Sequence, residues 1–276
     1  MKPLELLFEN THGDALPLPR RLARLYGRLR MPLRSRKPHV ISNFVTTLDG
    51  VVSLSEKGHA SGGDISGFSA EDRAVMGLLR AVVDVIIVGS GTLDVDRRHV
   101  WTAERVYPPL ANDYRRLRRA LGKDASPLMV VVSGSGRIDL SLPLFTSGEM
   151  RSLIVTSVAG ARRLRMQKAS GYVEIRAARG GEAISAPSIL SQVRRVNPGK
   201  LILVEGGPRL IGDFFAAGLL DEQFLTLAPQ VAGREEGDRR LSLVMGRRFA
   251  PRNPLWGKLT DLRQSGSHLF LRYAFT

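Results

Sequence analysis

Two glycine-rich turns are the segments of this sequence best suited to hold an anionic ligand. Residues 206–208 (Gly-Gly-Pro) follow the apolar run 201–204, and residues 89–92 (Gly-Ser-Gly-Thr) follow the apolar run 85–88. A turn of this kind that leads into a helix leaves backbone N–H groups unpaired at the positive end of the helix dipole, where phosphate binds. Close packing alone also produces glycine-rich turns, so the residues leave both interpretations open. Neither turn has the spacing of a Rossmann or a Walker A loop.

Two carboxylates stand at predicted strand ends, where they could bind a substrate or move a proton. Asp49 lies in Thr-Thr-Leu-Asp-Gly at 46–50, and Glu205 directly follows the run 201–204. A carboxyl group beside a cleft can donate or accept a proton, although Asp-Gly is also an ordinary turn dipeptide. The five histidines show no metal-ligand spacing, so we predict no metal site.

A third turn, Ser-Gly-Ser-Gly-Arg at residues 133–137, follows the apolar run 128–132. Its hydroxyl groups, its backbone amides and the guanidinium of Arg137 are all suitable ligands for phosphate. A polar surface loop would have the same composition, and this turn alone does not separate the two interpretations.

Alternating strand and helix patterns place these residues at the edge of an α/β sheet. Apolar runs bounded by turn residues predict strands at 40–45, 85–88, 128–132, 153–156, 173–175, 201–204, 223–228, 258–262 and 269–275. Amphipathic spacing predicts helices at 69–82, 159–168 and 185–196, and Pro208 suits the first position of another helix. We therefore predict a mixed, mostly parallel sheet flanked by helices, with a C-terminal antiparallel hairpin.

Charge and composition narrow the classes of function. The chain has 276 residues, no cysteine and a net charge of +15, which excludes thiolate metal sites and favours acidic partners. No apolar run reaches the length of a membrane span, and we expect a soluble protein. Basic residues crowd positions 20–37. We interpret the whole segment 1–37 as an appended extension before a main domain at 38–276. The basic side of its predicted helix is either a solvated face or a surface for an anionic partner such as nucleic acid.

Several motifs taken together resemble the reductase domain of riboflavin biosynthesis, which has a dihydrofolate-reductase-like fold. The matching segments are Pro-His-Val-Ile-Ser-Asn at 38–43 with Thr-Leu-Asp-Gly at 47–50, Ile-Ser-Gly at 65–67 with Leu-Arg-Ala at 79–81, residues 84–92 with Asp96, and Val-Glu-Gly-Gly-Pro at 204–208 with Gly-Leu-Leu-Asp-Glu at 218–222 and Ala-Pro at 228–229. The resemblance covers residues 38–276 and implies a three-layer α/β fold.

The resemblance implies an NADPH-dependent enzyme that reduces a ribosylamino-pyrimidine phosphate by hydride transfer to the sugar C1′. Carried over by position, the implied NADPH ligands are Thr47, Gly89, Gly91, Thr92, Asp96, Ser133, Ser135, Arg137, Gly206, Gly207, Pro208, Arg209 and Leu210. The implied substrate ligands are Ser61, Arg80 and Glu205. Asp49 would border the nicotinamide cleft, and from its position we hypothesise that it donates the proton. The family also implies a cytoplasmic homodimer.

The sequence departs from the family pattern after Asp96. The family usually continues there with a proline and, shortly afterwards, an arginine that binds the substrate phosphate. Here Arg97 follows Asp96, and Ala103 stands at the place of that arginine. Arg97, Arg98 and Arg105 are candidates to replace it.

Because of this departure, two alternatives to the pyrimidine reductase stay open. One is a reductase of the same fold that acts on a pterin such as dihydrofolate. The other is a nucleic-acid-binding protein on an inert reductase scaffold, which is disfavoured because few aromatic side chains that could stack on bases accompany the N-terminal arginines.

Overall fold

The computed structural model describes residues 2–178, 181, 183–238 and 240–275. The strands are β1 (Glu5–Glu9), β2 (Asp14–Ala15), β3 (Arg30–Met31), β4 (His39–Thr46), β5 (Val51–Ser53), β6 (Val85–Gly89), β7 (Leu128–Ser133), β8 (Ser152–Thr156), β9 (Val173–Ala177), β10 (Leu201–Val204), β11 (Glu222–Leu227), β12 (Leu241–Ser242), β13 (Lys258–Ser265) and β14 (His268–Ala274). The helices are α1 (Arg20–Tyr26), α2 (Gly62–Ser66), α3 (Ala70–Val82), α4 (Ser90–Val95), α5 (Ala103–Val106), α6 (Ala111–Ala120), α7 (Pro143–Thr146), α8 (Val158–Arg165), α9 (Ala186–Arg194) and α10 (Pro208–Ala216), with a 3₁₀ helix at Pro108–Leu110. Within these described ranges, no helix is both long enough and apolar enough to cross a lipid bilayer.

One large sheet forms the centre of the fold. In the described part of the chain, ten strands pair in the order β1-β13-β14-β11-β4-β10-β6-β7-β8-β9. From β11 to β9 in this order, neighbouring strands are parallel. The strands β14, β13 and β1 pair antiparallel at the other side. The structure therefore confirms the predicted mixed, mostly parallel sheet and its C-terminal antiparallel hairpin.

Alternate residues of the central strands supply two separate hydrophobic cores. In β6, Ile86 and Val88 belong to one core together with residues of α3 and α6. Val85 and Ile87 of the same strand belong to the other core, together with residues of α9 and α10. Because successive side chains of a strand point to opposite faces, the two cores lie on the two sides of the sheet. This is the predicted three-layer arrangement, and it explains why β6, β7, β8 and β10 are almost entirely apolar.

The helix start signals in the sequence are confirmed for α3 and α10. Ser69 caps α3, because its Oγ accepts a hydrogen bond from the Asp72 amide at 3.2 Å. Gly207 is the N-cap of α10, and Pro208 is its first residue. The predicted helices at 159–168 and 185–196 are shorter in the structure, where α8 ends at Arg165 and α9 at Arg194.

The basic N-terminal segment packs into the body of the protein. Its strand β1 pairs with β13 at the edge of the large sheet. Leu22 and Leu25 of α1 are buried in the same core as Leu78 of α3. Arg20 and Arg28 are exposed, so the basic side of this segment is solvated while its apolar side joins the core.

A notch interrupts the edge of the sheet where the parallel strands end. β10 ends at Val204, which pairs with Ser42 of β4, whereas β4 continues to Thr46 and still pairs there with β11. At about 3.3 Å per residue, β4 therefore extends roughly 13 Å beyond β10. The strand order also reverses here, because β10 returns to lie between β4 and β6. Open α/β sheets bind their ligands outside the carboxyl ends of the strands at such a switch point.

Candidate active site

The two glycine turns predicted from the sequence lie against each other at this notch. A Cβ atom on Gly206 would come within 2.7 Å of Thr92 Oγ1 and 3.2 Å of Val88 Cβ. The turn after β10 therefore fits against α4 because residue 206 has no side chain. Cβ atoms on Gly89 and Gly91 would meet nothing within 4 Å. Glycine thus serves close packing at position 206, whereas positions 89 and 91 border open space.

The first turn of α10 offers backbone donors to an anion. No side chain of the described residues caps this helix, whose N-cap is Gly207 with φ of 78°. Pro208 has no N–H group, so the first free amides belong to Arg209 and Leu210. The helix has nine residues, and its positive dipole end stands at the notch directly after β10.

Glu205 forms a buried ion pair with Arg80 beneath the notch. Arg80 Nε lies 2.8 Å from Glu205 Oε2, and only 4% of each side chain is exposed. Burial raises the pKa of Glu205 above its ordinary value, while the charge of Arg80 acts in the opposite direction. The structure thus brings together two of the predicted substrate ligands, and it uses the Nε side of the guanidinium to hold Glu205.

Arg80 has a second partner that the sequence patterns did not single out. Its Nη1 lies 2.9 Å from Nε2 of His99, in the loop after α4. The imidazole packs edge-on against Trp101, with 4.5 Å between the ring centroids. Burial, followed by the charges of Arg80 and Arg105, lowers the pKa of His99 to about 3. A chain of polar contacts therefore runs from Glu205 through Arg80 to a neutral His99.

Hydrogen bonds to Asp49 fix the turn after β4. Thr47 Oγ1 donates to its carboxylate at 2.6 Å, and the amides of Ala232 and Gly233 donate at 3.1 and 2.8 Å. These donors, with Thr47 the strongest, lower the pKa of Asp49 from 3.8 to about 2. The Thr47 hydroxyl also accepts from the Val51 amide at 2.9 Å, so it is engaged within the turn. Asp49 is ionised at neutral pH and ties this turn to the loop after β11.

Ser61 is the N-cap of α2, at the carboxyl end of β4. Its Oγ donates to Asp64 Oδ2 at 2.6 Å and accepts from the Asp64 amide at 3.4 Å. A Cβ atom on Gly62 would lie 3.2 Å from Val45 Cγ1, so α2 packs directly on β4. The hydroxyl group of this predicted substrate ligand is therefore bonded within its own capping box.

The third turn, residues 133–137, lies further along the same edge of the sheet, after β7. Ser135 Oγ accepts from the Arg137 amide at 3.3 Å, and the carbonyl of Ser135 accepts from Arg163 of α8. A Cβ atom on Gly136 would lie 2.5 Å from Gly160 Cα, so the turn packs tightly on α8. The side chain of Arg137 is exposed beside it. The turn is thus held in one conformation and carries a cation at its surface.

Asp96 and Ser133, two more predicted cofactor ligands, differ in their access to solvent. Asp96 Oδ1 accepts from the Arg98 amide at 3.2 Å, yet 56% of the Asp96 side chain is exposed. Ser133 is buried at the end of β7, where it pairs with Thr156 of β8. The Asp96 side chain can therefore contact a ligand directly. A ligand can contact Ser133 only through its backbone, or through its side chain if the turn moves slightly.

The sheet order, the notch and the two glycine turns are those of a dihydrofolate-reductase-like protein, as the sequence motifs implied. The sequence model of the RibD C-terminal domain matches residues 38–252. The chain therefore belongs to the RibD C-terminal domain family, which confirms the resemblance.

Curated relatives of the chain include a pyrimidinone phosphate reductase and a riboflavin biosynthesis protein. It is 30% identical over 200 residues to the 2,5-diamino-6-ribosylamino-4(3H)-pyrimidinone 5′-phosphate reductase of Archaeoglobus fulgidus, covering 71% of this chain and 83% of that protein. It is 20% identical to the riboflavin biosynthesis protein RibD of Aquifex aeolicus, covering 73% of this chain and 49% of that protein. These similarities support the predicted class of enzyme, a pyrimidine reductase.

Solved structures share the fold. A pyrimidine reductase-like protein of Corynebacterium diphtheriae has a TM-score of 0.68 at 20% identity, covering 92% of this chain and 98% of that one. The deaminase–reductase of Thermotoga maritima has a TM-score of 0.62 at 18% identity, covering 87% and 57%. The riboflavin biosynthesis reductase of Saccharomyces cerevisiae has a TM-score of 0.59 at 14% identity, covering 88% and 91%. At these identities the likeness establishes the fold.

Proposed function

We propose that this protein is an NADPH-dependent reductase that converts a ribosylamino-pyrimidine 5′-phosphate to its ribityl form. The observation that carries the proposal is that two glycine turns contact each other beside the Arg80–Glu205 pair. It is supported by the 30% identity of the chain to an archaeal reductase that is named for a ribosylamino-pyrimidinone 5′-phosphate. In this reaction the ring-opened sugar presents a C=N bond, whose carbon C1′ gains a hydride and whose nitrogen gains a proton. NADPH, when bound, supplies the hydride and leaves as NADP⁺.

The residues at the notch fit a dinucleotide phosphate. The amides of Arg209 and Leu210 at the start of α10 would donate to the pyrophosphate, as helix N-termini do for anions. Gly89 and Gly91 leave open space beside the backbone, so a ligand can approach it closely. Thr92, which contacts Gly206, would hold the two glycine turns at a fixed separation around the ligand.

The turn at 133–137 suits the adenosine 2′-phosphate that distinguishes NADPH from NADH. Arg137 is exposed there, and Arg163 lies beside it because it donates to the carbonyl of Ser135. Guanidinium groups bind phosphate through charge-assisted hydrogen bonds, which are worth about 1.5–3 kcal/mol each. We infer that the protein binds NADPH more tightly than NADH.

The chain's own contribution to the chemistry is mainly to hold its ligands in position and to exclude water. Glu205 and Arg80 fix the floor of the notch, while Ser61 and Asp49 fix the turns after β4. Holding a hydride donor against an electrophilic carbon removes much of the entropic cost of the reaction. Asp49 as the proton donor remains a hypothesis, and it requires the Asp49 pKa to rise when ligands bind.

Of the three arginines that could replace the missing phosphate ligand, we favour Arg98. Arg97 and Arg105 form salt bridges with Asp139 and Glu149, both at 2.5 Å. Within the described residues, Arg98 forms no salt bridge. Its guanidinium is therefore available to an anionic group of the substrate.

A homodimer in the cytoplasm belongs to the same proposal and is supported by the family resemblance alone. Light scattering of the purified protein measures the oligomeric state directly. A monomeric mass at all concentrations would contradict the dimer without affecting the proposed reaction.

Two measurements test the proposed function in sequence. Fluorescence titration compares binding of NADPH and NADH, and we expect NADPH to bind at micromolar concentration and more tightly than NADH. NADPH oxidation is then followed with 2,5-diamino-6-ribosylamino-4(3H)-pyrimidinone 5′-phosphate and, separately, with dihydrofolate. Turnover of the pyrimidine alone supports the proposal. Turnover of dihydrofolate alone would mean that the substrate is a pterin. If neither dinucleotide binds, the cofactor assignment fails.

A further inference from the structure

We propose that the Nδ1–H group of His99 donates a hydrogen bond to an anionic oxygen on the sugar phosphate arm of the substrate. The identity of that substrate rests on the proposed function. The position of the donor, however, follows from contacts within the chain. His99 would then help to determine which substrates are accepted, although it is not one of the residues that the family motifs assign.

The partner of His99 Nε2 determines which ring nitrogen carries the proton. Arg80 Nη1 lies 2.9 Å from Nε2, and a guanidinium group can only donate. Nε2 must therefore accept, and a neutral imidazole with an accepting Nε2 carries its proton on Nδ1. The low pKa of His99 is consistent with this neutral form. The buried pair with Glu205 holds Arg80 in place, so the tautomer is fixed by the fold.

The Nδ1 side of the ring is the side left for a ligand. The carboxylate that faces it, Asp96 Oδ2, lies 3.7 Å away, beyond hydrogen-bond length. The His99 side chain is 23% exposed, so its outer edge reaches solvent at the loop after α4. Trp101 packs edge-on against the ring and restricts its rotation. The Nδ1–H group of His99 is thus accessible to a ligand, and the packing of the ring limits the direction in which it can donate.

The charges around His99 select an anionic acceptor. Arg80 and Arg105 are the cations close enough to lower its pKa. Arg98 follows Asp96 by two residues and precedes His99 directly, and its side chain is exposed. Because Glu205 and Glu149 are paired with Arg80 and Arg105, the charge that would stabilise a phosphate oxygen at Nδ1–H is mainly that of Arg98, whereas a neutral group would gain only the hydrogen bond. Among the described residues, the acidic side chain paired with this edge of the ring is Asp96, which is 56% exposed.

Two substitutions separate the donor from the acceptor of His99. Asparagine places an amide near Nδ1, and glutamine places one near Nε2. We expect His99→Gln to keep the Arg80 contact but to raise KM for the pyrimidinone phosphate about 10-fold or more, with kcat and NADPH affinity little changed. We expect His99→Asn to keep KM within about 3-fold of wild type and to lower the melting temperature, because Arg80 loses a buried acceptor. The reverse pattern would mean that His99 is structural and would overturn the proposal.

A second readout does not depend on activity. Nitrogen-15 spectra of histidine-labelled protein, with His99 assigned by its absence in His99→Asn, report which ring nitrogen carries the proton. We expect protonated Nδ1 between about pH 5.5 and 8, and a shift of this resonance when ribose 5-phosphate is added. A protonated Nε2, or no shift at saturating ribose 5-phosphate, would overturn the proposal. If the wild-type protein turns over no pyrimidine, the proposed function fails and these spectra alone decide the role of His99.

Discussion

Arg80 and Glu205 are 125 positions apart in the chain, yet they form an ion pair of 2.8 Å in which 4% of each side chain is exposed. The pair joins α3 to the end of β10 and forms the floor of the notch. A buried charge without a partner is costly, so each residue depends on the other. The pair therefore supports both the fold and the shape of the candidate site.

Replacing Glu205 by alanine should strongly destabilise the protein. The substitution leaves Arg80 buried and without its carboxylate partner, which typically costs about 3–5 kcal/mol. Urea unfolding of Glu205→Ala and wild type measures the difference. The double variant Arg80→Met/Glu205→Leu removes both charges, so it should recover part of the loss. A Glu205→Ala protein within about 1 kcal/mol of wild type would show that the ion pair of the structure is absent in solution.

Alanine at the tightly packed Gly206 should lower stability, whereas alanine at Gly91, which borders open space, should weaken cofactor binding. At Gly206 the new Cβ would lie 2.7 Å from Thr92 Oγ1, so the turn must move and the melting temperature should fall. At Gly91 the new Cβ would meet nothing within 4 Å, so stability should be unchanged. If the open space beside Gly91 receives NADPH, however, Gly91→Ala should weaken NADPH binding about tenfold or more.

Thermal melting and fluorescence titration of the Gly91→Ala and Gly206→Ala variants check these expectations. A third variant, Gly89→Ala, repeats the Gly91 test at the neighbouring position, because Gly89 has an ordinary φ of −81° and its Cβ would also meet nothing within 4 Å. Gly122 has an equally open Cβ direction but a positive φ of 64°, so alanine there would strain the backbone and Gly122→Ala is not a suitable control. Gly89→Ala should therefore behave like Gly91→Ala. Unchanged NADPH affinity in both variants would mean that the ligand lies elsewhere.

Replacing Asp49 by asparagine should cost stability in a pH-dependent way. The folded-state pKa of Asp49 is about 2, below its ordinary value of 3.8, because Thr47 and two backbone amides donate to the carboxylate. A lowered pKa contributes stability that is complete above about pH 4 and is lost as the pH falls towards 2. The melting-temperature difference between wild type and Asp49→Asn should therefore be constant from neutral pH to about pH 5 and shrink below it.

Turnover by the same variant tests the proton-donor hypothesis for Asp49. A proton donor works best with a pKa near the working pH, and the contacts of Asp49 place its pKa well below neutral. Normal kcat in Asp49→Asn would rule out the proton-donor role. A fall in kcat without a change in NADPH affinity would support it.

Most of the fold follows from local patterns, and the exceptions are segments whose structure depends on distant partners. The strands β6, β7, β8 and β10 are apolar runs bounded by turn residues, and these four and β4 were predicted close to their bounds. β1 was not predicted, because its pairing partner β13 lies at the other end of the chain and Leu6, Leu7 and Phe8 of β1 remain largely exposed. The short strands β2, β3, β5 and β12 have two or three residues each, too few for a periodic signal.

The candidate site could be located from the sequence more readily than its contacts could be assigned. Glycine turns after apolar runs indicated the carboxyl edge of the sheet, where the structure places both turns. The contact of Gly206 with Thr92 and the pair of Arg80 with Glu205 depend on which strands become neighbours, and no spacing rule gives this. His99 was passed over because the five histidines of the sequence show no metal-ligand spacing. Its only sequence signal was the departure from the family pattern after Asp96.

Arg98 should contribute to binding of the substrate phosphate. Removing a guanidinium that binds phosphate costs about 1.5–3 kcal/mol, so Arg98→Ala should raise KM for the pyrimidinone phosphate about tenfold or more. The matched control is Arg97→Ala, which breaks an exposed salt bridge with Asp139 and should leave KM nearly unchanged. Equal effects of the two substitutions on KM would mean that overall positive charge, and not Arg98 itself, attracts the substrate.

Leu22 tests whether the basic N-terminal segment is part of the folding unit. The side chain is 0% exposed and lies in the core that also contains Leu78 and Leu79 of α3. Leu22→Ala removes buried methyl groups and leaves a cavity, so we expect a loss of about 2–5 kcal/mol in urea unfolding. Arg20→Ala on the solvated face of α1 is the control and should change stability by no more than about 0.5 kcal/mol. An appended segment that folds independently of the main domain would instead leave the unfolding midpoint of the Leu22→Ala protein unchanged.

Helix α3 carries both Leu78 and the site residue Arg80, so a loosened N-terminal segment should also weaken the Arg80–Glu205 pair. The Leu22→Ala protein should therefore lose activity at a lower temperature than the wild-type protein.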